Sequence, residues 1–135
     1  MDRPSRLDAV TRVADFPGLH VVTVGTPVPH RRQERARSAC LARLAYELHG
    51  CVPALVMESR SRVLNVRDIR SVTSARHLLP KGTEFQITHL PGAAEPLLWV
   101  ADVVAGAVRA HREGEPSYRR LLADSLYEID VETRC

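Results

Sequence analysis

Two short apolar runs, each followed by an amphipathic segment, constrain the fold of this chain more than any other feature. The runs are "LHVVTVG" at residues 19–25 and "VPALVM" at residues 52–57. Continuous apolar strands are typical of parallel sheets, because the helices that connect parallel strands cover both faces of the sheet. Residues 31–49, between the runs, repeat apolar side chains at helical spacing. The pattern predicts an α/β fold with a largely parallel sheet.

The remaining segments extend this alternation. Further helices are predicted over residues 5–15, 65–79, 96–113 and 116–129, and a further strand over residues 84–90. Ser5 is a candidate cap of the first of these helices, and the third has Pro96 in its first turn and Gly114 just beyond its end. At 135 residues, of which 44% are apolar, the chain can bury one sizeable core. We therefore expect residues 1–135 to form a single domain.

Charge, cysteine content and apolar stretches indicate the compartment of this protein, and common ligand-binding motifs are absent from its sequence. The net charge is only +3 and Lys81 is the one lysine, so the basic side chains are almost all arginine. Cys40, Cys51 and Cys135 form no C-x-x-C pair, which favours reduced thiols in a cytoplasmic protein. Residues 1–10 contain no apolar run of the kind found in a leader, and no apolar stretch in the sequence reaches membrane length. Dinucleotide-binding, Walker and nucleophile-elbow motifs do not occur in it. We expect a cytoplasmic protein without a membrane partner.

Three acids stand apart from the ordinary surface acids. Glu58 follows the strand "PALVM", and open α/β sheets bind ligands at the carboxyl ends of their strands. Asp102 interrupts a helix that is apolar nearly all round, where a carboxylate needs a hydrogen bond, an ion pair or a metal. Asp68 lies near a predicted helix start, with Asn65 as a candidate N-cap. Each has an ordinary alternative, namely a surface residue for Glu58, a structural ion pair for Asp102 and a capping residue for Asp68.

Taken together, the three acids suggest a metal centre. Carboxylates at a strand end, at a helix start and on a buried helix can converge on Mg²⁺ or Mn²⁺, which prefer oxygen ligands. Two such ions stabilise the entering and leaving oxygens of a phosphodiester. Arginines crowd the same region, and we predict phosphate contacts above all for Arg60 and Arg67, with Arg62 and Arg70 beside them.

The run "VMESR...N..D" and the later "EPLLWVADVVAGAVRAH" resemble the C-terminal two-thirds of the DUF-3800 family, bacterial proteins of unknown function with a ribonuclease-H-like fold. The resemblance extends from about Leu19 to about Tyr118, and its most distinctive part is the "ADVVAGA" helix. It implies a ribonuclease-H-like three-layer α/β domain. It also implies a metal-dependent, nuclease-type centre in which Glu58, Asp68 and Asp102 are the catalytic, metal-binding acids.

The chain departs from that family at its start. Family members begin with a strand that carries an acidic motif, followed by a hairpin partner, and nothing in residues 1–18 matches either. Three interpretations follow: a longer natural protein, strands supplied by a partner chain or a second copy, or a shortened derivative without catalysis. The leading hypothesis is a metal-dependent, nuclease-like domain acting on phosphodiesters, with activity in doubt because the first acidic strand is missing. The alternative is a non-catalytic interaction or regulatory module that retains the fold.

Overall fold

The computed structural model describes residues 2–75, 79–82 and 85–135. Its contacts divide into two compact units. The helical unit comprises Met1–Val22 and Glu95–Glu128, and the α/β unit comprises Thr23–Ala94 and Ile129–Cys135. Strand β1 (His20–Thr26) pairs with strand β4 (Leu126–Glu132).

The α/β unit is built around a parallel strand pair, β2 (Ala54–Glu58) and β3 (Gln86–Leu90), with Met57 opposite His89. Two helices pack against each other, α2 (Gln33–Leu48) and α3 (Arg62–Ala75). The core of this unit joins the two helices to one face of the strand pair, and its buried members are Leu41, Ala45, Met57, Val72, Ala75 and Phe85. The α/β class predicted from the sequence is therefore confirmed, although the described strands form two separate pairs instead of one sheet.

The helical unit consists of α1 (Arg3–Ala14), α4 (Pro96–Arg112) and α5 (Ser117–Leu122), which pack on one another. Asp2 caps α1 by accepting a hydrogen bond from the Ser5 backbone N–H at 2.9 Å, so the helix begins before the predicted Ser5 position. The buried side chains of the helical unit include Val13, Val104, Val108, Tyr118 and Leu122. None of the helices in the described residues is both long and apolar enough to cross a membrane.

The predicted helix over residues 116–129 is wrong in its second half. α5 ends at Leu122, Ala123 takes a positive φ of 44°, and strand β4 begins at Leu126. The segment "LYEIDVE" alternates apolar and polar residues, which is a strand pattern, and its pairing with β1 overrides the weak helical spacing before it. The predictions over residues 65–79 and 84–90 are confirmed as a helix and a strand, but their bounds differ: α3 begins three residues earlier at Arg62, Leu79 is not helical, and β3 begins at Gln86. Residues 76–78 and 84 lie outside the described part of the chain.

Candidate functional site

Asp68 is the centre of an ion-pair cluster inside the α/β unit. Its side chain is only 2% exposed. Oδ1 accepts hydrogen bonds from Arg37 Nε at 3.1 Å and from Arg60 Nη2 at 2.6 Å, and Oδ2 accepts one from Arg37 Nη2 at 3.2 Å. Arg60 also donates to Glu34, with Nη1 at 2.5 Å from Oε1. Two acids and two arginines thus neutralise each other, which is how buried charges are usually tolerated.

The local sequence explains why Asp68 points inward. α3 begins at Arg62, and Ser61 Oγ accepts a hydrogen bond from the Leu64 N–H at 3.2 Å. The capping role predicted for Asn65 is therefore wrong, since its side-chain oxygen accepts from the Arg60 N–H at 2.8 Å instead. With the helix starting three residues earlier than expected, Asp68 lies in the second turn, on the face that packs against α2. The capping alternative for Asp68 is wrong for the same reason.

The electrostatics of the cluster keep Asp68 ionised. Burial by itself raises the pKa of Asp68, but the hydrogen bonds and positive charges of Arg37 and Arg60 outweigh it, so the pKa lies below its ordinary value. The hydrogen bonds that Arg60 donates to the Glu34 carboxylate are the main reason that the pKa of Arg60 is raised. Both shifts favour the charged forms, as expected for groups that stabilise each other.

His89 borders this cluster from the neighbouring strand. Its side chain is 11% exposed, and Nε2 lies 3.8 Å from Asp68 Oδ2, beyond hydrogen-bond distance. His89 Nε2 and Arg60 Nε are buried without a hydrogen-bond partner among the described residues. Sequence reasoning missed Arg37, Glu34 and His89, because no local pattern shows which side chains of α2 and β3 will face α3.

Glu58 and Asp102 are both exposed. Glu58 ends β2, as predicted, and its carboxylate rests against Gly92, where an added Cβ would collide with Glu58 Oε1. Asp102 belongs to the helical unit, and the burial predicted for it is wrong because its face of α4 is uncovered. It borders a hollow of about 480 Å³ whose lining includes Arg6, Trp99 and Gly106. Within the described residues, no group of three or more His, Cys, Asp or Glu side chains is arranged to hold a metal ion.

The positive charge of the chain is concentrated in the α/β unit. That unit contains twelve Lys and Arg residues against seven Asp and Glu, whereas the helical unit contains seven against nine. Seven arginines of this unit are exposed and form no ion pair with another described residue. One of them, Arg134, lies next to the C-terminus, and the other six lie on α2, on α3 or in the turn just before α2. We call these six the arginine surface: Arg31, Arg32, Arg35, Arg62, Arg67 and Arg70. Of the two predicted phosphate contacts, Arg67 belongs to this surface, while the guanidinium of Arg60 is engaged by Glu34 and Asp68.

Comparison with known proteins adds no relative. The chain matches no protein-family model, no curated protein and no solved structure.

Proposed function

We propose that this chain is a non-catalytic interaction module that binds the phosphodiester backbone of nucleic acid through the α/β unit. The observation that carries the proposal is the arginine surface, six exposed arginines that form no ion pair with another residue in the described part of the chain. Arginine donates to phosphate oxygens in a bidentate manner, and such contacts supply most sequence-independent affinity for nucleic acid.

The ion-pair cluster around Asp68 supports this role by holding α2 and α3 together. Glu34 lies in the first turn of α2 and pairs with Arg60, which precedes α3, while Arg37 pairs with Asp68 inside α3. These contacts join the start of α2 to α3, which together carry four of the six arginines, while Arg31 and Arg32 lie in the turn just before α2. Helix starts also carry a positive partial charge, which adds to the attraction for phosphate.

The competing proposal is a metal-dependent nuclease centre that uses Mg²⁺ or Mn²⁺ with Glu58, Asp68 and Asp102. The state of Asp68 argues against it, since three N–H donors already occupy its two oxygens. To bind a metal ion, Asp68 would have to give up these hydrogen bonds. We therefore favour the module without catalysis.

As to the fold family, we propose the ribonuclease-H-like three-layer fold implied by the DUF-3800 resemblance. The parallel β2–α3–β3 crossover is compatible with it. A cytoplasmic location accords with three free cysteines, and it stays a prediction.

Binding can be tested with fluorescein-labelled 20-nucleotide single-stranded and duplex DNA and RNA, using anisotropy across a salt series. If all six arginines contact phosphate, the logarithm of the affinity should fall with the logarithm of salt concentration with a slope of about −5 on duplex DNA. Arg67→Gln and Arg70→Gln should each weaken binding and reduce the slope by about 1. Arg43→Gln is the matched control, because Arg43 lies on α2 but pairs with Glu47 at 2.7 Å. Absence of binding, or equal losses in the control, would contradict the proposal.

Metal dependence separates the two proposals. Thermal melting with and without Mn²⁺ should give the same midpoint, because only a metal that binds the folded state raises the melting temperature by mass action. Incubation of the same oligonucleotides with Mn²⁺ should leave them intact. Cleavage that disappears in Glu58→Gln and Asp102→Asn would instead establish the nuclease.

A further inference from the structure

Helix α4 carries apolar residues on its exposed side as well as on the side that packs against the rest of the helical unit. Its inner face packs through Val104, Ala107 and Val108, but Trp99 lies on the opposite side and is 44% exposed. A helix that is apolar nearly all round is normally covered on most faces. Its outer face therefore has the composition of a contact surface.

One seam of this outer face has the spacing of a helix-pairing surface. Trp99, Asp102, Gly106, Arg109 and Glu113 follow each other at intervals of three and four residues, which places them along one side of the helix. All five line the hollow of about 480 Å³. We call this set the α4 seam.

The charges along the α4 seam are arranged to match a reversed copy of themselves. Asp102 precedes Gly106 by four residues and Arg109 follows it by three, so opposite charges lie on either side of the glycine. A parallel copy would place Asp102 beside Asp102 and Arg109 beside Arg109, which is repulsive. An antiparallel copy related by a two-fold axis near Gly106 places Asp102 beside Arg109 twice. An isologous interface requires this self-complementarity.

We propose that the α4 seam binds a second copy of this chain, with the two α4 helices antiparallel and crossing near Gly106. Gly106 suits the crossing point, because an added Cβ there meets no atom within 4 Å and the helix backbone is open to approach. Trp99 then lies opposite Glu113 of the second copy, whose carboxylate can accept a hydrogen bond from the indole N–H.

Within one copy, the charges of Asp102 and Arg109 are not tied up in strong ion pairs, so they can pair with a second copy. Asp102 and Arg6 form no ion pair with any other described residue, although both line the hollow. Arg109 pairs with Glu113 at 3.1 Å, but the two side chains are 81% and 65% exposed. An exposed pair of this kind contributes little, so Arg109 can bridge Glu113 and the second Asp102 without a large loss.

The test is a charge swap read by sedimentation equilibrium over a concentration series. The wild type should approach twice its 15.0 kDa mass. Asp102→Arg and Arg109→Glu should each raise the dissociation constant by about tenfold or more, because each change turns two attractive pairs into two repulsive ones. The double variant carrying both changes should regain most of the affinity. Arg12→Glu is the control, since Arg12 lies on α1 in an exposed pair with Asp8 and outside the seam.

A cysteine at the crossing point gives a second, independent readout. Gly106→Cys should form a disulfide-linked dimer under mild oxidation, whereas the wild type with its own cysteines and the exposed control Ser74→Cys should not. Circular dichroism of every variant confirms that it is folded. A 15.0 kDa mass at all concentrations would overturn the proposal. So would a dimer that persists unchanged in both single charge variants, because it would then form through another surface.

Discussion

Replacing Asp68 by asparagine removes the charge on which Arg37 and Arg60 converge, while the shape of the side chain is kept. One amide oxygen can still accept from Arg37 Nε and Arg60 Nη2, which lie 3.1 and 2.6 Å from Oδ1 in the wild type. The amide nitrogen, however, would take the place of Oδ2 and face Arg37 Nη2, so two donors would meet. The variant loses one charge-assisted hydrogen bond and most of two attractive charge interactions.

The size of the effect follows from the burial of each partner. Removing one member of a buried ion pair costs about 3–5 kcal/mol when the remaining charge stays buried. Here Arg37 is 42% exposed and can be rehydrated, and Arg60 keeps Glu34 as a partner, so the lower end applies. We expect Asp68→Asn to lower the free energy of unfolding by about 3 kcal/mol, or the melting temperature by about 10 °C for a chain of this length.

The measurement is urea denaturation followed by far-ultraviolet circular dichroism. Fluorescence is less suitable, because the single tryptophan, Trp99, lies in the helical unit. Glu47→Gln is the matched control, since it removes the same charge from an exposed pair with Arg43 and should change the free energy of unfolding by less than about 0.5 kcal/mol. A loss below about 1 kcal/mol in Asp68→Asn would refute the view that this cluster holds α2 and α3 together. Wild-type stabilisation by Mn²⁺ that vanishes in Asp68→Asn would reassign Asp68 as a metal ligand.

Three further predictions concern pH and backbone packing. The pKa of Asp68 is lower in the folded chain than in the unfolded chain, so its ionised form stabilises the fold above the unfolded pKa of about 4, and this stabilisation is lost as pH falls through the folded pKa. When the free energy of unfolding is measured at decreasing pH, it should therefore fall less below pH about 4 in Asp68→Asn than in the wild type. Gly25→Ala should lower the free energy of unfolding by about 1–3 kcal/mol, because the added Cβ would lie 2.8 Å from Thr133 Cγ2 and 2.9 Å from Cys40 Sγ, and a thermal melt measures this. Gly106→Ala should instead raise the stability of the monomer by about 0.5–1 kcal/mol, since alanine is the better helix former and the site is open; a lower melting temperature of the dilute protein would contradict this.

Local patterns were sufficient where neighbouring residues decide the outcome. Helix α4 begins at Pro96 and ends before Gly114, which takes a φ of 101°, as proline at the first turn and glycine after the last turn predict. Strand β2 ends at Glu58, as the apolar run before it predicts. The second half of the predicted helix over residues 116–129 became a strand, because pairing with β1 stabilises an extended backbone that helical spacing alone does not reveal.

The candidate site, too, was predictable only where neighbouring residues decide the outcome. The sequence alone determined the α/β class, the arginine-rich character of the chain and the unusual position of an aspartate on an apolar helix. Only the tertiary structure decided what the acids contact: Asp68 turns inward to Arg37 and Arg60, while Asp102 lies exposed in the other unit. The physical reason is that helix formation depends on neighbours within a few residues, whereas a carboxylate's partner is set by how distant elements pack, and Asp68 and Arg37 are 31 residues apart.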